Sequence, residues 1–245
     1  MTERQAPAPS TPRAPQAPQA APPHLTAEVD HLVVAATTLE QGVAWCEATL
    51  GATPGPGGKH ALFGTHNRLL RIESPVYAQA YLEIIAIDPD APRPTRPRWF
   101  GLDDAALQAQ LATRGPRLLH VVARTSALDA HLAALVGAGI DAGEAIAASR
   151  QSAHGLLQWR IAVRRDGSLP FGGALPTLIE WSGAQHPTLA MDGSALQLQQ
   201  LSLAGLPAGA MAALGLRGVE FVAQSGAALR AGFITARGLV TLESR

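Results

Sequence analysis

The chain carries one unit twice, and this repeat limits its fold more than any other feature. The segments HLVVAATTLE and HVVARTSALD align without a gap at an offset of 89 residues. That offset sets His31 on His120, Val33 on Val122, Leu39 on Leu128 and Glu40 on Asp129. Each copy opens with a β-type apolar run, passes through Thr or Ser, and continues with a helical period. A chain built this way places two like modules side by side.

In the first copy Thr37 and Thr38 can cap the helix, with Glu40 or Gln41 three residues on as in a capping box. Leu39, Val43 and Cys46 mark its buried face and Gly51 its stop. In the second, Thr125 or Ser126 caps, Leu128, Leu132, Leu135 and Val136 face inward, and Gly137 and Gly139 end the helix. Short β-like runs follow: 60–63, 67–72 and 81–87 in the first copy; 157–164, a short piece near Ala174 and 176–181 in the second. Each copy therefore reads β-α-β-β-β, over residues 24–88 and 117–187. Between them lies a Pro- and Arg-rich linker, 89–116, with a short helix at 103–111. Residues 188–245 read as a degenerate, non-catalytic βαββ half-module that extends the sheet or makes an interface. It has strands near 196–203, 218–222 and 232–236 and a helix at 207–214. Residues 1–23 are Pro, Ala and Gln with almost no large apolar side chains, and are expected to be disordered.

Formal net charge is zero, and no basic stripe is interleaved with aromatics, so nucleic acid is not an expected partner. No apolar run approaches the roughly 18–20 residues of a membrane span. The single cysteine, Cys46, permits no intrachain disulfide and fits a reducing, cytoplasmic setting. It falls on a buried helix face, where packing is its expected role.

Chemistry is concentrated in four residues. His31 lies in DHLVVAA and Glu83 in YLEIIAI; His120 lies in LLHVVAR and Glu180 in PTLIEW. A carboxylate inside an apolar β run is costly unless something stabilises it. Two imidazoles and two carboxylates on strands can converge on one divalent ion, zinc, nickel, iron(II), manganese or cobalt. The structural alternative pairs Glu83 with Arg68 or Arg71, and Glu180 with Arg160 or Arg164. Arg68 and Arg160 are candidate anchors for a substrate carboxylate. His60 and His66 flank a turn around Gly64 and are candidates for the mouth of the site. His154 sits in a loop that can border the second module's pocket. His186 is expected to satisfy backbone at a turn, and His131 to lie exposed on a helix. Strand alternation puts Trp181 on the face opposite Glu180, where it is expected to pack against a helix. The Gly55–Gly58 loop lacks the context of a phosphate cradle.

The segments DHLVVAATTLEQGVAWCEATLGATPGPGGKHALFGTHNRLLRI, YLEIIAIDP, LLHVVAR and PTLIEWSGAQHP, within residues 24–187, resemble the vicinal oxygen chelate superfamily, and within it the glyoxalase-like domain families. The resemblance implies an α+β protein whose tandem βαβββ modules form a half-open, eight-stranded cup with the active site inside. It implies His31, Glu83, His120 and Glu180 as metal ligands, with Glu180 or Glu83 doubling as general base. A divalent ion acting as Lewis acid would stabilise an oxyanion. The implied activity is that of a lyase or isomerase on a small carbonyl- or hydroxyl-bearing substrate, with no organic cofactor. Two alternatives stand beside it: an iron(II) ring-cleaving dioxygenase using two histidines and one glutamate, and a metal-independent cup that binds and sequesters a small molecule. Two complete modules in one chain permit a monomer or a homodimer.

Overall fold

A computed structural model describes residues 25–152, 155–223 and 226–244. Residues 1–23 and His154 lie outside the described residues. The first module runs β1 (Glu28–Ala35), α1 (Leu39–Leu50), β2 (Lys59–His60), β3 (Thr65–Arg71) and β4 (Tyr81–Ile87). The crossover contains α2 (Ala105–Arg114). The second module runs β5 (Arg117–Arg124), α3 (Leu128–Gly137), β6 (Glu144–Ser152), β7 (Gly155–Val163) and β8 (Thr177–Trp181). Together they form one eight-stranded sheet of order β2-β3-β4-β1-β5-β8-β7-β6. The opening strands β1 and β5 pair antiparallel at its centre, and each is flanked by its own module's last strand in parallel. Edge strands β2 and β6 approach each other, so the sheet curls into a nearly closed cup.

Strand alternation sorts the side chains into two layers. Leu32, Val34, Leu82 and Ile84 point outward into the larger core beneath the helices, while Val33, Ala35 and Ile85 point into the cup. Helix α1 starts as its sequence requires: Thr38 Oγ1 accepts from Gln41 N, and Thr37 N donates to Gln41 Oε1. Gly51 closes it in the left-handed conformation, φ 70°. Gly42 is fixed by proximity, since a Cβ there would lie 2.2 Å from Ile84 Cγ2. Gly42→Ala should therefore destabilise the fold by about 1–2 kcal/mol despite its gain in helix propensity. Urea unfolding checks this, and an unchanged or raised midpoint would contradict the close helix–sheet contact.

Several expectations are corrected. β6 adds a strand that sequence pattern does not announce, because EAIAASRQS is a polar edge strand without strong alternation. No strand forms near Ala174, which closes a 3-10 turn at Pro170–Gly173. β2 is shorter than 60–63. The N-cap residue of helix α3 is Ala127, which offers no side-chain cap, although Thr125 Oγ1 accepts from Ala127 N at 3.1 Å. The helix's inward face uses His131, fully buried, while Val136 is 69% exposed. His131 Nδ1 lies 2.9 Å from the Ala213 carbonyl and so ties α3 to the tail.

The tail does not extend the cup. β9 (Gln197–Ala204), α4 (Ala208–Leu214), β10 (Glu220–Val222), β11 (Leu229–Thr235) and β12 (Gly238–Glu243) make a separate four-stranded sheet of order β10-β9-β11-β12. Leu198, Leu201, Leu203 and Phe233 from this sheet join the outer core. The tail's four-stranded sheet thus packs on the convex side of the cup.

Candidate functional site

A bulge makes the site. Between β1 and β5 the pairing slips between Val29 and His31, so Asp30 is an extra residue on β1. A bulge re-aims a side chain that alternation would send to the other face. Asp30 and His31, adjacent in sequence, consequently meet: His31 Nδ1 donates to Asp30 Oδ1 at 2.6 Å. The second slip, between Val33 and Val34, leaves Leu119 extra on β5. Asp30 and Leu119 are equivalent under the 89-residue offset, so both modules carry the same bulge, one polar and one apolar.

Asp30 is fully buried. Its second oxygen accepts from Trp181 Nε1 at 2.9 Å and from His186 Nε2 at 3.1 Å. The His186 tautomer follows from its other nitrogen, which accepts from Thr188 N. Burial opposes ionisation of Asp30, but the hydrogen bonds and charges of His186 and His31 outweigh it and hold the carboxyl well below the usual range. With Nδ1–H committed to Asp30, His31 turns Nε2 toward the cup. There Glu83 Oε2 lies 3.5 Å away, too far for a good hydrogen bond and close enough for both groups to reach one ligand atom. Glu83 is itself buried and accepts from Asn67 Nδ2 at 2.6 Å.

Asn67 is oriented by Gly58 N, which donates to its Oδ1 at 2.7 Å. A Cβ on Gly57 would lie 2.2 Å from Asn67 Oδ1, so the Gly-rich loop serves close approach here. His60 completes the cluster. Its Nε2 accepts weakly from Asn67 Nδ2 at 3.4 Å, and Nδ1 lies 3.1 Å from Thr65 Oγ1. Burial, followed by the charge of Arg150, pushes the His60 pKa down to about 3. Tyr81 stacks on His31 with ring centroids 4.5 Å apart. Burial and the Asp30 and Glu83 charges keep its phenol protonated well above the usual range.

The equivalent position in the second module is closed off. His120 Nε2 accepts from Thr177 N at 3.1 Å, with the Thr177 hydroxyl 2.9 Å away, and Nδ1–H donates to the Gly173 carbonyl at 2.9 Å. Both ring nitrogens are engaged, and burial pushes the pKa down to about 3. The β-register explains why. Val33 pairs with Glu83 in the first module, and its counterpart Val122 pairs with Thr177 in the second. Thr177, not Glu180, therefore occupies the place of Glu83. Glu180 lies on the convex face, accepting from Leu128 N at 3.3 Å and facing Arg160 Nη1 at 3.4 Å.

The sequence profile of a family described as a glyoxalase-like domain matches residues 29–219. The chain belongs to this family. Its paired βαβββ cup is the vicinal oxygen chelate fold. No curated protein matches the glyoxalase-like chain significantly. Among solved structures, a hypothetical protein from Staphylococcus aureus is similar at 12% identity, over 89% of this chain and 86% of that one, with a TM-score of 0.53. Methylmalonyl-CoA epimerase from Mycobacterium tuberculosis matches at 19% identity over 71% and 97%, TM-score 0.38. A single-residue variant of the Streptomyces coelicolor epimerase, in complex with 2-nitronate-propionyl-CoA, matches at 21% over 66% and 99%, TM-score 0.39.

The four-ligand metal set expected for this glyoxalase-like protein does not assemble. His31 and Glu83 share the cup, His120 is hydrogen-bonded at both nitrogens, and Glu180 is on the other side of the sheet. No group of three or more His, Cys, Asp or Glu among the described residues has the spacing to hold a metal ion. The two-histidine, one-glutamate set of the dioxygenase alternative needs His120, whose two ring nitrogens are both engaged. Arg68 and Arg160 also alternate outward: Arg160 pairs with Asp129 and Glu180, and Arg68 lies with His66 near Glu40 of α1. His66 is thus outside the cup, whereas His60 is inside.

Trp181 does lie opposite Glu180, but it faces the cup and not a helix, and the turn histidine His186 holds Asp30 instead of backbone alone. Asp30 and Asn67 escape sequence reasoning altogether. The signal available for Asp30 is its replacement by leucine in the otherwise parallel second copy.

Proposed function

We propose that the protein is an acid–base enzyme of isomerase or lyase type, acting on a small carboxylate that carries a carbonyl or hydroxyl group. The observation that supports this most is the buried Asp30–His31–Glu83 arrangement, with a 3.5 Å gap between His31 Nε2 and Glu83 Oε2. Asp30 fixes the tautomer and orientation of His31, as a carboxylate behind a catalytic imidazole does. Glu83, held by Asn67, is the second proton carrier. One group removes a proton from carbon next to a carbonyl, and the other delivers one.

The space around the pair suits a small substrate. A cavity of about 20 Å³ bounded by His31, Glu83, Asn67 and Tyr81 has room for one water. It shares Arg150 and Pro187 with an adjoining chamber of about 230 Å³. Arg150 lowers the His60 pKa, so its positive charge reaches the cluster. It is the cation suited to anchor a substrate carboxylate in the chamber while the reacting carbon meets His31 and Glu83. Arg150 takes the role expected of Arg68 and Arg160.

Binding without turnover is the second reading. Trp99, Phe100, Trp159 and Trp181 wall the inner cavity, so a molecule seated in the adjoining chamber would meet an aromatic surface at its inner end. Deuterium exchange from heavy water into a panel of short keto and hydroxy carboxylates, followed by NMR, separates the two. Catalysis predicts exchange that falls about 100-fold or more in Glu83→Gln and less than about 2-fold in Glu180→Gln. Ligands that raise the melting temperature but never exchange would overturn the enzyme reading in favour of binding.

A further inference from the structure

The linker between the modules builds a second cavity. Its residues 93–104 enclose about 990 Å³ with Arg117, Leu119 and the loop at 166–172. Four arginines border this space, Arg93, Arg96, Arg98 and Arg117. So do three aspartates, Asp103, Asp104 and Asp166, and each has a partner of its own. Asp103 pairs with Arg98 at 2.6 Å. Asp104 caps α2, accepting from Ala106 N and Leu107 N. Asp166 pairs with Arg164 at 3.0 Å and accepts from Ser168 N.

Three guanidinium groups are left over. Arg93 is exposed, and its charge reaches Asp103 only at a distance, since Arg98 holds that carboxylate directly. Arg96 lies over the Phe63 ring at 5.2 Å, and its Nε is buried without a hydrogen-bond partner. Arg117 donates to the neutral Gln110 amide at 2.5 Å, and its Nε is likewise buried and unpartnered. Several cations around one space repel each other. That cost is relieved by one ligand of multiple negative charge, and guanidinium forks suit phosphate oxygens.

We propose that this cavity is a second binding site, for a small molecule bearing a phosphate or diphosphate group, with Arg93, Arg96 and Arg117 as its receptors. The site is distinct from the acid–base cluster but abuts it. Phe100 lines both spaces, in a left-handed backbone conformation, φ 58°, that a bulky side chain rarely adopts. Its ring stacks on Trp99 at 5.0 Å and stands 5.4 Å from His120. The partition between the two cavities is thus a strained aromatic residue, and the half of the cup where His120 is closed off becomes the floor of an anion site. The proposal does not depend on the acid–base reading, since it uses none of its residues.

Calorimetric titration of the full chain at low ionic strength tests it, with pyrophosphate, inorganic phosphate and citrate as probes. Pyrophosphate should bind most tightly and raise the melting temperature. Arg93→Gln, at an exposed position, should weaken it at least about tenfold, and Arg93→Lys should recover part of the loss. Glu83→Gln should leave binding unchanged. No heat and no thermal shift with millimolar pyrophosphate would overturn the proposal, as would equal binding to Arg93→Gln. Citrate binding as tightly as pyrophosphate would overturn the choice of phosphate.

Discussion

Asp30→Ala should destabilise the protein by about 3–5 kcal/mol, the cost of removing one partner from a buried charged network. The carboxylate is the shared acceptor for His31 Nδ1–H, His186 Nε2–H and Trp181 Nε1–H. Its removal leaves three donors in a space with little room for water. Asp30→Asn keeps one acceptor oxygen and nearly the same volume, so it should recover part of the loss while removing the buried charge. Urea unfolding of the two variants reads both effects. A loss below about 1 kcal/mol for Asp30→Ala would mean that the network is dispensable.

The second large effect is acid lability. His60 and His120 have folded-state pKa values of about 3, against about 6.5 in an unfolded chain. Below pH 6.5 the unfolded chain takes up two protons that the folded chain refuses. Stability therefore falls as pH drops, by up to about 2.7 kcal/mol per pH unit between roughly pH 6 and pH 4. The sign follows from the lowered values, whose contribution is fully present above the unfolded pKa. Asp30 adds to the loss in a lower window, as pH falls below the ordinary carboxylate value. Unfolding free energies across this range check it, and a flat profile between pH 7 and pH 5 would contradict the neutral burial of both rings.

The parts of the fold that are written locally are legible in the chain. The 89-residue repeat, the cap of α1 at Thr38, its stop at Gly51 and the buried runs of β1, β4 and β5 are all carried by short-range pattern. So is the presence of His31 and Glu83 in one cup. Pairing register is not legible, because it is decided between strands. Glu180 resembles a second copy of Glu83, yet the residue that pairs with Val122 is Thr177. A slip of three residues in a period-two element reverses the face, and it sends Glu180 outward and Trp181 inward. The bulges at Asp30 and Leu119 break alternation a second time, joining two adjacent residues that a regular strand would separate. Helix α3 shows the same limit, since His131 is buried only because α4 packs against it. Helical period alone favours Val136.

The two modules use one scaffold differently: one turns a histidine and a glutamate into the cup, and the other has both nitrogens of its histidine engaged in hydrogen bonds. A ring-nitrogen NMR titration of the histidines, with and without stoichiometric zinc, tests this most directly. The account predicts a His31 proton on Nδ1, and a His120 that stays neutral with its proton on Nδ1 down to its pKa of about 3 and does not respond to zinc. A His120 that titrates near the ordinary histidine value, or whose signals shift together with those of His31 when zinc is added, would contradict it.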